Sequence, residues 1–261
     1  LKNNVISIEP MKKYIVITGA SSGIGYEAAL AFARKNKNII IVARNKENLE
    51  HLKKEIKNIN TDLEVIIKVS DLSVMENVHN LYEDLKNYKI ETWINNAGFG
   101  ITDLIKDQEL KKVEDMINLN VGALTILSTL FTKDYGDVEG TQLINVSSVG
   151  GYSVVDNNVT YSATKFYVSA FTEGLAQELG KRGGKMQVKV LAPAATETEF
   201  ANVALGVNNF DYEESTPRFH TAKEMAEFLV KLYESDKIVG IVDIQTYEFK
   251  LTDPIFNFRQ S

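Results

Sequence analysis

The chain has 261 residues, a formal charge of −6 and no cysteine. That length suits one large α/β domain or two small ones, and such a chain can bury roughly three quarters of its unfolded surface. The missing cysteine excludes disulfides, thiol nucleophiles, iron–sulfur clusters and thiolate zinc sites. The acidic balance argues against a nucleic-acid partner. His51, His79 and His220 do not pair at metal-ligand spacing, so no metal site is expected. No apolar run reaches membrane-span length, residues 1–10 carry no signal-peptide pattern, and a cytoplasmic protein is the expectation.

Residues 1–10 read as an extension, and Met11 as the start of the fold. Residues 14–18 (YIVIT) form a short β-branched strand that ends at Gly19. Residues 25–35 then place Ala28, Ala29, Leu30, Phe32 and Ala33 on helical faces. Residues 38–43 are a buried strand. Residues 46–59 are a helix with Leu49, Leu52, Ile56 and Ile59 at three- and four-residue spacing. The alternation repeats, with a strand over 63–69, a helix over 73–88 and a strand closing over 92–94. Helical patterning over 110–131 follows, in one or two pieces. Next come strands over 142–146 and 186–191, flanking a helix over 159–181. A last helix spans 222–233 and a last strand 238–244.

Seven strands alternating with long helices predict one domain over 11–261, a parallel sheet with helices on both faces in three α/β/α layers. The longest stretch without a clear element is 196–220, read as a substrate loop with a short helix near 200–205.

The segment Thr18-Gly19-Ala20-Ser21-Ser22-Gly23-Ile24-Gly25 joins the first strand to the first helix. Glycines there allow a tight exit and a close approach of backbone to a ligand, and the helix N-terminus offers its unpaired N–H groups to a pyrophosphate. No lysine follows at P-loop spacing. The context is that of a Rossmann-type doubly wound dinucleotide site. Arg44 ends the second strand, where an NAD site usually has an acidic residue. A guanidinium there favours the 2′-phosphate of NADP(H). Asp71, at the end of the third strand, is placed to accept from the adenine amino group. A helix cap is its alternative role, with Ser73 as a competitor.

Tyr161 and Lys165 are four apart at the start of a helix and so share one face. Ser148 ends a strand thirteen residues before Tyr161. Ligand sites of parallel sheets lie at the carboxyl ends of strands, so these groups can meet.

Together these residues resemble the classical short-chain dehydrogenase/reductase family over about residues 11–198. The glycine pattern matches its dinucleotide loop, Asn95-Asn96-Ala97-Gly98 its sheet-stabilising turn, and Asn120, Ser148, Tyr161 and Lys165 its catalytic tetrad. Pro193 and Thr198 match the segment that closes over the nicotinamide. The resemblance implies a cofactor set of Gly19, Ser21, Ser22, Gly23, Ile24, Gly25, Arg44, Asp71, Leu72, Asn96, Ala97, Gly98, Tyr161, Lys165, Pro193, Thr196 and Thr198.

A free tyrosine has a pKa near 10. The Lys165 ammonium and an oxidised nicotinamide ring are both expected to lower it. Tyr161 would then exchange a proton with the substrate oxygen while the cofactor exchanges a hydride, and Ser148 would bond the same oxygen. The resemblance implies that Asn120 holds a water against Lys165; a buried structural amide is its alternative role. It also puts the substrate walls at Phe99, Ile101, Gly150, Tyr152, Val154, Phe200, Val203 and Leu205, with Phe99, Gly150, Tyr152 and Phe200 foremost. They suit an aldehyde, ketone or secondary alcohol with an apolar body. The leading expectation is thus an NADP(H)-dependent oxidoreductase, assembled by resemblance as a homodimer or homotetramer. A cofactor-binding regulatory or structural protein with little turnover is the other reading. Ala194 stands where the family commonly has glycine. The apolar tail over 247–261 is expected to pack on the chain's own sheet edge or on a subunit partner.

Overall fold

The computed structural model describes residues 12–259; the extension expected at 1–10 and the start at Met11 lie outside them. The chain runs β1 (Lys13–Thr18), α1 (Gly23–Arg34), β2 (Asn38–Ala43), α2 (Lys46–Ile59), β3 (Val65–Val69), α3 (Met75–Leu85), β4 (Lys89–Asn95), α4 (Leu110–Ile117), α5 (Leu124–Tyr135), β5 (Gln142–Val146), α6 (Val159–Arg182), β6 (Gln187–Ala192), β7 (Thr196–Glu197), α7 (Glu199–Leu205), α8 (Tyr212–Ser215), β8 (His220–Thr221), α9 (Ala222–Glu234), β9 (Val239–Val242) and β10 (Phe249–Thr252). A π-helical turn, Asn118–Ala123, joins α4 to α5. The helical pattern expected over 110–131 is therefore one run with a widened middle.

Strand residues alternate between two layers, as the two-residue period of a strand requires. Ile15, Ile17, Ile39 and Ile41 pack with Ala28, Phe32, Leu52, Ile56 and Leu229 from α1, α2 and α9. Tyr14, Val16, Ile40 and Val42 pack with Val78, Leu81, Leu127 and Phe131 from α3 and α5. The sheet order is β10-β9-β6-β5-β4-β1-β2-β3. It reverses between β1 and β4, the switch point where doubly wound sheets open a crevice.

Seven of these strands are parallel. The eighth, β10, runs antiparallel to β9 and corrects the expectation of a seven-stranded, wholly parallel sheet. The reversal is made by the Asp243 carboxylate, which accepts from the N–H groups of Gln245 and Thr246. Tyr247 completes it at φ 60, a left-handed value that non-glycine residues seldom take. No glycine or proline marks this turn. The 196–220 segment is also more ordered than a loop. β7 pairs with β8, and α7 occupies the place where a short helix was expected.

Candidate active site

The glycine loop is pinned from the neighbouring strand. Thr18 Oγ1 accepts from the N–H groups of Asn96 and Ala97 at 3.0 and 3.1 Å. Asn96 Nδ2 donates to the carbonyls of Thr18 and Gly19 at 3.0 and 3.1 Å. Gly19 and Gly23 sit at φ 68 and 56, which favours glycine. A Cβ on Gly25 would lie 2.4 Å from the Gly19 carbonyl oxygen, so that residue is fixed by close packing of loop on helix. Ser22 caps α1 with its backbone extended and no side-chain bond to the helix. The first N–H groups of α1 thus face the crevice, a cradle suited to an anionic ligand. Thr198 stands over this cradle, its methyl group 3.0 Å from where a Gly23 Cβ would be.

Ser148, Tyr161 and Lys165 come together beside it. Lys165 is buried on α6, and its Nζ donates to the Val146 carbonyl at 2.9 Å. The same ammonium lies 5.7 Å from the centre of the Tyr161 ring. Ser148 Oγ and the Tyr161 ring lie 3.4 and 3.8 Å from where a Gly150 Cβ would be, and Ser148 Oγ accepts from the Gly150 N–H at 3.0 Å. Burial pushes Tyr161 up to about 12, against the lowering effect of Ser148. Burial also pulls Lys165 down to about 8. The protein alone therefore does not lower the tyrosine as expected from Lys165, because desolvation disfavours both charged forms.

Asn120 is buried in the π turn, and its amide is heavily engaged. Oδ1 accepts from the Phe99 N–H at 3.1 Å, while Nδ2 donates to the Phe99 carbonyl at 2.9 Å and to Thr164 Oγ1 at 3.1 Å. The side chain holds the 98–99 turn, which narrows the water-holding role expected for it. A Cβ on Gly98 would meet Asn120 Oδ1 at 3.0 Å and Lys165 Nζ at 3.6 Å, so Gly98 leaves that space open.

At the far end of the crevice, the Arg44 side chain is 75% exposed and 4.0 Å from Asp71, so its guanidinium is available to a ligand. Asp71 accepts from both the N–H and the hydroxyl of Ser73. Partial burial opposes its charge, but the Ser73 bonds and Arg44 outweigh it and hold the carboxyl below its usual range. Leu72 is buried in the core. A cleft of about 340 Å³ opens here, with Lys68, Ser70 and Asn77 also in its walls, away from Tyr161.

The short chain dehydrogenase family model matches residues 13–205. The chain belongs to the short-chain dehydrogenase family. The human protein named dehydrogenase/reductase SDR family member 11 is 30% identical over 241 residues, covering 88% of this chain and 92% of that one. A short-chain dehydrogenase from Sphingobium yanoikuyae, solved in complex with NADPH, is 28% identical with a TM-score of 0.81, covering 90% and 89% of the two chains. A bulky-bulky ketone specific alcohol dehydrogenase from Comamonas testosteroni is 25% identical with a TM-score of 0.77, covering 89% and 87%.

In this short-chain dehydrogenase the expected substrate walls divide. The Phe200 ring lies 5.4 Å from the Tyr161 ring. Gly100 admits it, since a Cβ there would lie 2.8 Å from the Phe200 ring. α7 is tied down where the Thr102 N–H donates to the Ala204 carbonyl at 2.9 Å. Gly150 faces the site, with Tyr161 and Ser148 both within 3.8 Å of a Cβ placed on it. Phe99 is held by Asn120, and Ile101 is buried behind it. Val154, Val203 and Leu205 are exposed. Tyr152 does not join this group. Its hydroxyl donates to Glu173 at 2.6 Å and its ring stacks on Phe256, which turns it toward the C-terminal segment. Thr196 donates to the Ala194 carbonyl, and Thr198 caps α7 by accepting from the Phe200 N–H. The sequence reading missed Ser147, Ser169 and Glu173. For Ser169 and Glu173 the signal was spacing, because 165, 169 and 173 continue the four-residue row begun by Tyr161; Ser147 stands beside Ser148 and carried no separate signal.

Proposed function

We propose that this chain is an NADP(H)-dependent oxidoreductase. It would transfer hydride between the nicotinamide and a carbonyl or secondary alcohol of a small, largely apolar substrate. The observation that carries the reading is the meeting of the Ser148 hydroxyl, the Tyr161 hydroxyl and the Lys165 ammonium beside a glycine cradle at the carboxyl ends of the strands. The fit to a dinucleotide is supported by that cradle, whose three glycines leave no room for side chains.

When bound, the cofactor supplies or accepts the hydride. The chain's own residues manage the proton. Tyr161, kept protonated by burial, is loaded as the donor for carbonyl reduction. The Ser148 hydroxyl is already beside it and bonds the same substrate oxygen as charge develops there. Its bond to the Pro193 carbonyl is long, 3.4 Å, and is readily exchanged. Lys165 uses one donor on Val146, and its other N–H groups would be free to hold a cofactor's ribose hydroxyls and to favour the Tyr161 phenolate. For alcohol oxidation the Lys165 ammonium would favour the Tyr161 phenolate, aided by the positive charge of an oxidised nicotinamide if one is bound.

Arg44 favours NADP(H). An exposed guanidinium with one long ion pair suits a 2′-phosphate, and the NADPH complex of the Sphingobium relative supports the choice. The apolar body of the substrate follows from Phe200 beside Tyr161, in keeping with a relative described as specific for bulky ketones. A homodimer or homotetramer is supported by exposed apolar residues on neighbouring helices, Leu110 and Ile117 of α4 and Val159 and Tyr167 of α6. Initial rates with NADPH and NADH over a broad aldehyde and ketone panel test the reading. Turnover favouring NADPH is expected. Tight NADPH binding with no turnover on any member would favour a cofactor-binding regulatory protein instead.

A further inference from the structure

Glu173 is fully buried on α6, and the three groups it accepts from are neutral. They are the Tyr152 hydroxyl at 2.6 Å and the N–H groups of Ile255 and Phe256 at 2.6 and 2.8 Å. A buried carboxylate is costly unless hydrogen-bonded, so two of its three supports come from the C-terminal segment after β10. The same segment stacks Phe256 on Tyr152, ring centres 5.4 Å apart and 14° from parallel. Gln177 donates to the Phe256 carbonyl, and Lys181 lies over the Phe258 ring at 4.4 Å. This strap therefore lies along α6.

The contacts then run back toward the site. Tyr161, Lys165, Ser169 and Glu173 form one four-residue ridge of α6. Ser169 pairs with the Ser147 hydroxyl at 2.7 Å, and Ser147 donates to the Lys165 carbonyl at 2.9 Å. Tyr152 also ends the short turn that starts at Ser148. The Gly151 N–H donates to the Ser148 carbonyl and the Tyr152 N–H to the Val149 carbonyl. The turn cannot slide, because a Cβ on Gly151 would lie 2.5 Å from Ser147 Oγ and 2.6 Å from the Lys165 carbonyl.

We propose that Glu173 is a positioning residue for the Ser148 turn, clamping the strap of residues 253–258 to Tyr152 and thereby holding Ser148 in register with Tyr161. The proposal rests on the reading of Ser148 and Tyr161 as the reacting groups. It makes the far end of the chain a determinant of the site without contact to substrate or cofactor.

The test uses Tyr152→Phe, which keeps the ring on Phe256 but removes the donor, and Glu173→Gln, both in the full chain. Three quantities are compared with the wild type well below the unfolding temperature: kcat and KM, NADPH affinity by fluorescence, and amide hydrogen exchange over 148–153 and 253–258. Expected is a fall in kcat of about 10- to 100-fold, the scale of a displacement on the order of 1 Å. NADPH affinity should stay unchanged, and exchange should quicken in both segments. Wild-type kcat with faster exchange confined to 253–258 would overturn the clamp and leave Glu173 a merely structural anchor. If Glu173→Gln does not fold, Tyr152→Phe decides alone. Hydrogen exchange needs no turnover. If the wild type proves inactive on every substrate, the catalytic reading fails while quickened or unchanged exchange over 148–153 still supports or overturns the clamp.

Discussion

Two buried lysines sit on opposite sides of the same β5–β6 pair and have opposite surroundings. Lys165 enters the crevice from α6 and has one hydrogen-bond partner among the described residues, the Val146 carbonyl. Lys189 lies within β6 and donates to three carbonyls, those of Leu232, Tyr233 and Ser235, at 3.1, 3.0 and 2.6 Å. These close the C-terminal end of α9, where a cation is favoured by the helix dipole. Burial pulls both ammonium groups down to about 8. A shifted titration alone thus does not mark a functional lysine. What separates them is donor saturation: Lys189 has every N–H engaged, while Lys165 keeps donors for a ligand beside the hydroxyl of Tyr161.

Substitution should pull the two apart. Lys165→Ala is expected to lower kcat about 100-fold or more and to weaken NADPH binding, because the proposed proton handling and ribose contacts both depend on it. Steady-state rates with a cofactor titration check this, and loss of thermal stability alone would make the two lysines alike. Arg44→Asp should shift the NADPH/NADH ratio of kcat/KM by about 10- to 100-fold toward NADH, the value of a charged hydrogen bond of ~1.5–3 kcal/mol. An unchanged ratio would remove the NADP preference. The pH profile comes next. In the proposed mechanism the ammonium is the active form of Lys165, and burial holds it below its usual range, so it is present below pH about 8 and lost above it. The value of kcat/KM for NADPH should fall by about tenfold per pH unit beyond that point, a limb absent from Lys165→Ala. Smallest on the rate is Lys189→Met, expected to leave kcat within about twofold but to cost ~1–3 kcal/mol of stability, since buried carbonyls lose their donors. Chemical denaturation measures it.

Much of this frame was legible in the sequence because periodicity carries it. β2, α2 and β5 begin and end where alternation and helical spacing place them, and the glycine loop announces itself by composition. Other features leave no such trace. The buried face of α6 includes Ser162, Thr164, Lys165, Ser169, Thr172 and Glu173 beside Val168, so polar residues dilute its inward face and Glu173 looks like a surface residue. Tyr152 reads as a pocket wall until that buried carboxylate is seen to draw it toward the strap. β10 is hidden because its turn uses a left-handed tyrosine and an Asp243 carboxylate in place of a glycine pair. The raised pKa of Tyr161 depends on how deeply α6 and the Ser148 turn enclose it, which no spacing encodes.

Tyr161→Phe removes one oxygen and leaves the cradle, Arg44 and Lys165 in place. Turnover and NADPH binding of that variant, measured on the same preparation, reach the proton-transfer claim most directly. The expected result is unchanged NADPH affinity with kcat lower by about 10²- to 10⁴-fold. Turnover close to that of the wild type would contradict it.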